Sequence, residues 1–252
     1  MGLRRLLLPV AAAVALGAAA TPVAGAPGTS QPGTSRPGTS RPAAADALPA
    51  TGPILPRGSR APAPADRFVA TVTPVTAADL PSSYRPGCPV PPERLRRLTV
   101  SHVDFLGRQR LGTLVVHQDV ADPLVRVFAR LHALQYPIER MEPVEAFAGS
   151  DDASMDANNT SAFNCRARTG GTGFSEHSHG TALDLNPVQN PYVRGTTVLP
   201  EAGRAHVDRS TAHPAVLRAG DPVVSALAAE GFRWGGTWTT LKDYQHFSTS
   251  GR

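Results

Sequence analysis

The segment SEHSHGTALD, from Ser175 to Asp184, contains two histidines, a glutamate and an aspartate around a single glycine. His177 and Asp184 are seven residues apart, so a flat strand would put their side chains on opposite faces. Gly180 permits the chain to turn between them, after which TALDL can continue as a strand with Ala182 on the same face as Asp184. The segment therefore predicts two ligands that converge on one site.

A third ligand is expected from the segment KDYQHFS near the end of the sequence, which contains His246 and, three residues earlier, Asp243. Two histidines and one carboxylate with a fourth position left open make up the composition of a catalytic zinc site. Asp243 is then a spare carboxylate beside the metal, where a general base belongs. The alternative for each histidine taken singly is a surface or capping role.

The two segments together resemble the M15 zinc metallopeptidases. SEHSHGTALD fits the pattern S-x-H-x-x-G-x-A-x-D, and DYQHF supplies an acid three residues before a His-Phe pair. This family contains D-alanyl-D-alanine carboxypeptidases and dipeptidases and phage-type L-alanyl-D-glutamate endopeptidases. The resemblance extends roughly from Arg126 to Phe247 and is sharpest from Asn159 onward.

The resemblance implies that zinc is held by His177, Asp184 and His246 and that Asp243 is the catalytic acid and base. It leaves His179 outside the ligand set. Asp at this base position is typical of the L-alanyl-D-glutamate branch, whereas many other members have Glu.

The family also uses an arginine upstream of the first motif to bind or polarise substrate. Arg166 is the candidate here and Arg168 is its rival. Ser175 is expected either to bind substrate through a hydrogen bond or to hold its loop. Trp238 in GGTW matches an aromatic that often precedes the last motif.

The implied activity is zinc-assisted hydrolysis of peptide bonds in peptidoglycan stem peptides, of the D-Ala-D-Ala carboxypeptidase kind. An L-Ala-D-Glu endopeptidase is the alternative within the family. Two alternatives from other classes stay open: a catalytically inactive, zinc-containing module that binds cell wall, and a zinc-free secreted binding protein.

The amino-acid composition divides the chain. No aromatic side chain precedes Phe68, and 11 of the 25 prolines lie within the first 64 residues. Because a segment without large apolar side chains buries too little surface to offset its ordering entropy, we expect the zinc peptidase domain to span 66–252. PGTS repeats mark 27–65 as a disordered Pro/Gly/Thr/Ser-rich linker.

Residues 1–26 read as a signal peptide: Arg4 and Arg5 precede an apolar run to Ala20, and small residues follow. We therefore expect a secreted protein, extracellular or associated with the cell wall, with no stable membrane span after signal removal. An uncleaved N-terminal anchor is the alternative.

The net charge of +5 is located entirely before the domain, in a segment that contains six arginines and a single acidic residue, Asp46. Residues 66–252 carry equal numbers of basic and acidic residues. A neutral domain is poor evidence for binding to a phosphate backbone, so we expect no nucleic-acid partner. We also expect a monomer.

The chain has two cysteines, Cys88 and Cys165. An even count behind an export signal predicts a disulfide between them, with two buried free thiols as the alternative.

The order of apolar patterns predicts an α+β domain, an antiparallel β-sheet with packed helices. Proline-rich loops are expected up to Pro92, followed by a hairpin around Gly107. Asp122-Pro123 and Asp221-Pro222 each predict the start of a helix, and Gly231 predicts the end of the second one. Four short strands are expected in the segments VEAFAG, LDLNP, FRWGGTW and YQHFS.

Overall fold

The computed structural model describes residues 67–169 and 171–252. The predicted signal peptide, 1–26, and linker, 27–65, lie outside the described residues. Helices and mainly antiparallel sheets make up the described part, which confirms the predicted α+β class. Within this part of the chain, no helix is both long and apolar enough to cross a membrane.

A three-stranded antiparallel sheet consists of β1 (Ala70–Pro74), β2 (Leu95–Val103) and β3 (Gln109–His117), in that spatial order. Strands β2 and β3 form the predicted hairpin, and Gly107 in its turn has a φ of +72°. The prediction of loops up to Pro92 was wrong for β1. Strand β1 pairs with the edge of β2 that the hairpin leaves free, and backbone pairing of this kind does not depend on the side chains.

Helix α1 (Gln118–Ala133) begins four residues before the predicted start at Asp122. The earlier start has a local cause in His117, whose Nδ1 accepts a hydrogen bond from the backbone N–H of Asp119 at 3.2 Å. This side chain caps the helix at the end of β3, and Pro123 therefore lies inside the helix. Apolar residues at helical spacing pack into the main core, with Leu134 partly buried and the others fully: Leu124, Val127, Phe128 and Leu131.

The prediction of a strand in the segment VEAFAG was wrong. The structure has a single 3₁₀ turn there, over Val144–Phe147. Ala148 and Gly149 follow with φ of 52° and 77°, left-handed values that end any extended run. The chain then enters α2 (Asp151–Asp156). The hydroxyl of Ser150 caps this helix by accepting a hydrogen bond from the backbone N–H of Ala153. A short parallel pair, β4 (Arg140–Met141) and β5 (Asn159–Thr160), brackets this region.

Two further three-stranded antiparallel sheets contain the short strands of the second half. In the first, β11 (His246–Ser248) lies between β6 (Ala182–Asp184) and β9 (Arg233–Trp234). The strand predicted in LDLNP is β6, which ends at Asp184. It does not continue because Asn186 adopts a left-handed φ of 44°. The strands predicted in FRWGGTW and YQHFS are present but cover only two and three residues.

In the second sheet, β7 (Tyr192–Arg194) lies between β10 (Lys242–Asp243) and β8 (Thr197–Leu199). Helix α3 (Pro222–Ala229) follows, with Asp221 at its N-cap as predicted. Its buried residues Val223 and Leu227 belong to one core together with α1, the hairpin of β2 and β3, and the sheet that contains β11.

A second, smaller core surrounds Cys88 and Cys165, which the structure joins in a disulfide with Cα atoms 5.9 Å apart, in agreement with the predicted pairing. The bond closes a sequence separation of 77 residues. It ties the N-terminal part of the domain to the segment that leads into SEHSHGTALD.

Candidate metal centre

His177 lies on a 3₁₀ turn, Glu176–His179, that is held at both ends. At its start the Ser175 hydroxyl accepts from the backbone N–H of His177 at 3.4 Å. At its end Gly180 has a φ of +67°, and its carbonyl accepts from the backbone N–H of His117 at 2.7 Å. A Cβ at this position would lie 2.7 Å from that same nitrogen, so Gly180 is required for its space as well as its conformation.

Asp184 and His246 are directly opposite each other in the antiparallel pair of β6 and β11. Two Cα partners on neighbouring strands project their side chains to the same face of the sheet. The turn at Gly180 brings His177 onto that face. The three predicted ligands therefore meet, although 62 residues separate Asp184 from His246.

The ligand atoms of this cluster lie close together and are buried. The Nε2 of His177 is 3.2 Å from the Nδ1 of His246. The carboxylate of Asp184 is 3.3 Å from the first nitrogen and 3.0 Å from the second. Ligands in a tetrahedral zinc site with Zn–N bonds of about 2.0–2.1 Å are separated by about 3.3 Å, so the three atoms fit that coordination.

Hydrogen bonds at the far side of each ring indicate where the protons lie. The Nδ1 of His177 donates to the carbonyl of Ala162 at 2.6 Å, and the Nε2 of His246 donates to the carbonyl of Arg252 at 2.9 Å. In the neutral rings, the two nitrogens that face each other then both carry lone pairs. Two lone pairs beside a carboxylate repel one another, and a divalent cation is the group that satisfies all three.

The electrostatics of the cluster favour bound positive charge. Burial by itself would raise the pKa of Asp184, but the adjacent His177 and His246 outweigh it and hold this pKa below its usual range. Burial lowers the pKa of His246, and its hydrogen bond to Asp184 outweighs that and raises the pKa. The carboxylate is thus ionised, and protons and a metal ion compete for the same pair of nitrogens.

Asp243 lies next to this cluster and is not one of its three members. Its carboxylate is buried, and among the described residues its Oδ1 has no hydrogen-bond partner. Burial raises the pKa of Asp243 to about 6. A carboxylate with one unpartnered oxygen and a raised pKa has the properties of a general base or acid.

Gly235 fixes the position of this carboxylate and was not found from the sequence. A Cβ on Gly235 would lie 2.6 Å from the backbone oxygen of Asp243 and 3.0 Å from its Cβ. No side chain fits there unless β10 moves. The two adjacent glycines of GGTW were visible in the sequence, but nothing in it connects them with a residue eight positions later.

The metal cluster lies in a cleft of about 560 Å³. Arg166 and Arg168 both line it, so the two predicted rivals are both present. Arg166 forms an ion pair with Asp151 at 2.8 Å, while Arg168 donates to the carbonyl of Thr172 at 3.0 Å. Burial raises the pKa of Asp151, and Arg166 is the main group that opposes this rise. The ion pair therefore holds the guanidinium of Arg166 in place at the cleft.

The remaining predicted residues have clear positions. Ser175 lines the cleft, and its hydroxyl accepts from the backbone N–H at the start of the turn that carries His177. Trp238 lines the cleft with its ring centroid 5.6 Å from that of His246. His179 is not part of the cluster within the described residues. Asp151 and Gln245 also line the cleft and were missed, because no spacing rule connects either of them with the motifs.

Comparison with known families gives an independent result. A family model of the M15 peptidases, described as D-alanyl-D-alanine carboxypeptidase, matches residues 169–249. The matched segment includes all three cluster residues and Asp243. No solved structure matches the chain. The family match confirms the resemblance that the two motifs predicted: residues 169–249 are similar to the M15 peptidases.

Proposed function

We propose that the chain is a secreted zinc metallopeptidase that hydrolyses peptide bonds in peptidoglycan stem peptides, in the manner of a D-Ala-D-Ala carboxypeptidase. The observation that carries the proposal is the combination, in a single cleft, of two facing lone-pair nitrogens, one ionised carboxylate and a separate carboxylate with an oxygen that no described residue hydrogen-bonds. A structural zinc site is closed by four protein ligands, whereas three ligands leave a position for chemistry.

His177, Asp184 and His246 would hold the zinc ion. When bound, zinc supplies Lewis acidity that activates water and polarises the peptide carbonyl. The carbonyl oxygens of Ala162 and Arg252 keep each ring in the tautomer that turns its free nitrogen toward the site. These contacts fix the rings before any ligand arrives.

Asp243 accepts a proton from the attacking water and passes it to the amine that leaves. Its burial supports this role, because a carboxylate with a pKa of about 6 accepts a proton more readily than an exposed one. Arg166 is placed to stabilise negative charge that develops on the substrate, and Asp151 holds its guanidinium in position.

Export is supported by the disulfide between Cys88 and Cys165, since disulfides persist mainly outside the reducing cytosol. The proposed signal peptide at 1–26, the monomeric state and the lack of a nucleic-acid partner stay predictions.

An L-Ala-D-Glu endopeptidase is the second candidate, favoured by an Asp rather than a Glu at position 243.

The test is digestion of isolated stem peptides and muropeptides with the purified, zinc-loaded protein, followed by mass spectrometry. Release of a single D-alanine from pentapeptides is expected, and a chelator should abolish it. Cleavage between L-Ala and D-Glu would select the second candidate. Stoichiometric zinc without any hydrolysis would contradict the enzymatic proposal and favour an inactive module that binds cell wall.

A further inference from the structure

The sheet β10–β7–β8 forms one wall of the cleft, and its register fixes which side chains stand together. Tyr192 pairs with Asp243 on one side and with Leu199 on the other. All three residues line the cleft. Arg194 is two residues further along β7, on the same face as Tyr192 and about 7 Å away along the strand. It lines the cleft as well.

Arg194 is exposed, and its guanidinium forms no ion pair with any carboxylate of the described residues. Arg166, on a different wall, is occupied by Asp151. An anion that enters the cleft can therefore bind Arg194 without breaking an internal ion pair. The position of Arg194 on a strand, rather than on a loop, holds this charge at a set distance from Asp243.

We propose that Arg194, with Tyr192 beside it, forms a second anion-binding subsite that selects peptides with a free internal carboxylate. This proposal rests on the proposed function and names its preferred substrates: acidic stem peptides, as opposed to the same peptides with that carboxylate converted to a carboxamide. A guanidinium has only donors, so it pairs with a carboxylate but meets donors of its own kind in the NH₂ group of a carboxamide.

The neighbours of Arg194 favour a peptide ligand over a small inorganic anion. Tyr192 and Leu199 present partly buried, mainly apolar side chains in the same row, which can pack against the body of a peptide. The row leads directly to Asp243. A peptide that lies along it has its acidic side group at Arg194 when its scissile bond is close to the metal cluster.

The experiment compares two stem pentapeptides that end in D-Ala-D-Ala and differ only in the free α-carboxylate or carboxamide of their glutamate residue. With zinc-loaded protein, kcat/KM should be higher for the acidic peptide, on the order of 10- to 100-fold. Arg194→Gln should bring this ratio close to one, and Arg194→Lys should retain part of it. Arg130→Gln is the matched control, because Arg130 is an exposed arginine of α1 that does not line the cleft.

Calorimetric binding of both peptides to the zinc-loaded Asp243→Asn variant, with and without Arg194→Gln, separates the subsite from catalysis. Selective binding that depends on Arg194, without hydrolysis by the native protein, would sustain the subsite and contradict the proposed function. Equal treatment of both peptides, a preference that survives Arg194→Gln, or no detectable binding of either peptide would each overturn the subsite.

Discussion

Asp184 and His246 are Cα partners across β6 and β11, and the carboxylate of the first lies 3.0 Å from the Nδ1 of the second. Strand pairing alone therefore fixes two of the three ligands of the candidate metal centre. The third ligand, His177, depends on the turn at Gly180. The site is thus built from one rigid pair and one turn that is anchored by its neighbours.

His246→Ala should remove zinc as well as activity, because it deletes one member of the rigid pair. Elemental analysis of purified protein measures bound zinc, and peptide hydrolysis measures activity. His179→Ala is the matched control, since this histidine lies on the same turn as His177 but outside the cluster. Stoichiometric zinc with native affinity in His246→Ala would show that the ligand set is misassigned.

Asp243→Asn should lower kcat by about 10²- to 10⁴-fold while zinc content stays native, because general-base catalysis is typically worth that factor. Asn retains the size of Asp but cannot accept a proton at neutral pH. Asp184→Asn provides the contrast, since it should weaken zinc binding itself. Full activity in Asp243→Asn would rule out Asp243 as the base, and loss of zinc would make it a ligand.

The metal-free protein offers a pH test of the same carboxyl. The pKa of Asp243 is raised from an unperturbed 3.8 to about 6, so its ionised form is less stable in the folded state. The resulting destabilisation is absent below pH 4, develops between pH 4 and 6, and is complete above pH 6. Asp243→Asn should therefore raise the Tm of metal-free protein at pH 7, with the gain shrinking as the pH falls toward 4. A gain that is independent of pH would contradict the assigned burial.

Gly235→Ala should lower kcat without loss of zinc. The new methyl group would lie 2.6 Å from the backbone oxygen of Asp243, so β10 must shift and carry the proposed base with it. Overpacking of this kind typically costs about 1–3 kcal/mol of stability, which thermal unfolding can measure. Gly171→Ala is the control, because the nearest atom to its Cβ, on Arg168, is at an ordinary 3.7 Å. Native kcat in Gly235→Ala would exclude this packing role.

Replacement of both Cys88 and Cys165 by Ser should destabilise the domain by about 4 kcal/mol, the loop-entropy contribution expected for a closed loop of 77 residues. Chemical denaturation of the oxidised protein and of the double variant measures the difference. Thiol titration of protein collected outside the cell gives a direct check, with no free thiol expected. Two free thiols there would contradict the disulfide.

The cluster of His177, Asp184 and His246 could be predicted from the sequence because its members lie in two short motifs of fixed spacing. His177 and Asp184 fall within one ten-residue segment, and an acid three residues before a histidine marks the other. The two Asp-Pro dipeptides predicted helix starts with different success. Asp221 occupies the N-cap position of α3, although its carboxylate accepts from the backbone N–H of Arg218 and not from the helix. Asp122 is not an N-cap, because His117 starts α1 more than one turn earlier. A helix N-terminus is set by whichever competing cap has the better place in the tertiary structure.

The walls of the cleft could not be predicted in the same way. Asp151 meets Arg166 only because α2 folds against the segment after β5, and Tyr192 meets Asp243 only through the pairing of β7 with β10. Such contacts depend on the packing and order of the elements, so the number of residues between the two partners follows no fixed rule. The role of Gly235 could not be predicted either, because a glycine is required there by the nearby backbone of Asp243 and not by a positive φ.

The hydrogen bond from the His117 N–H to the Gly180 carbonyl has a consequence for local unfolding. His117 also caps α1, so the turn that carries His177 cannot detach without loosening the first turn of that helix. We expect these two regions to exchange their amide hydrogens as one cooperative unit. Zinc binding should then slow exchange at Asp119, at the start of a helix that contributes no ligand to the metal.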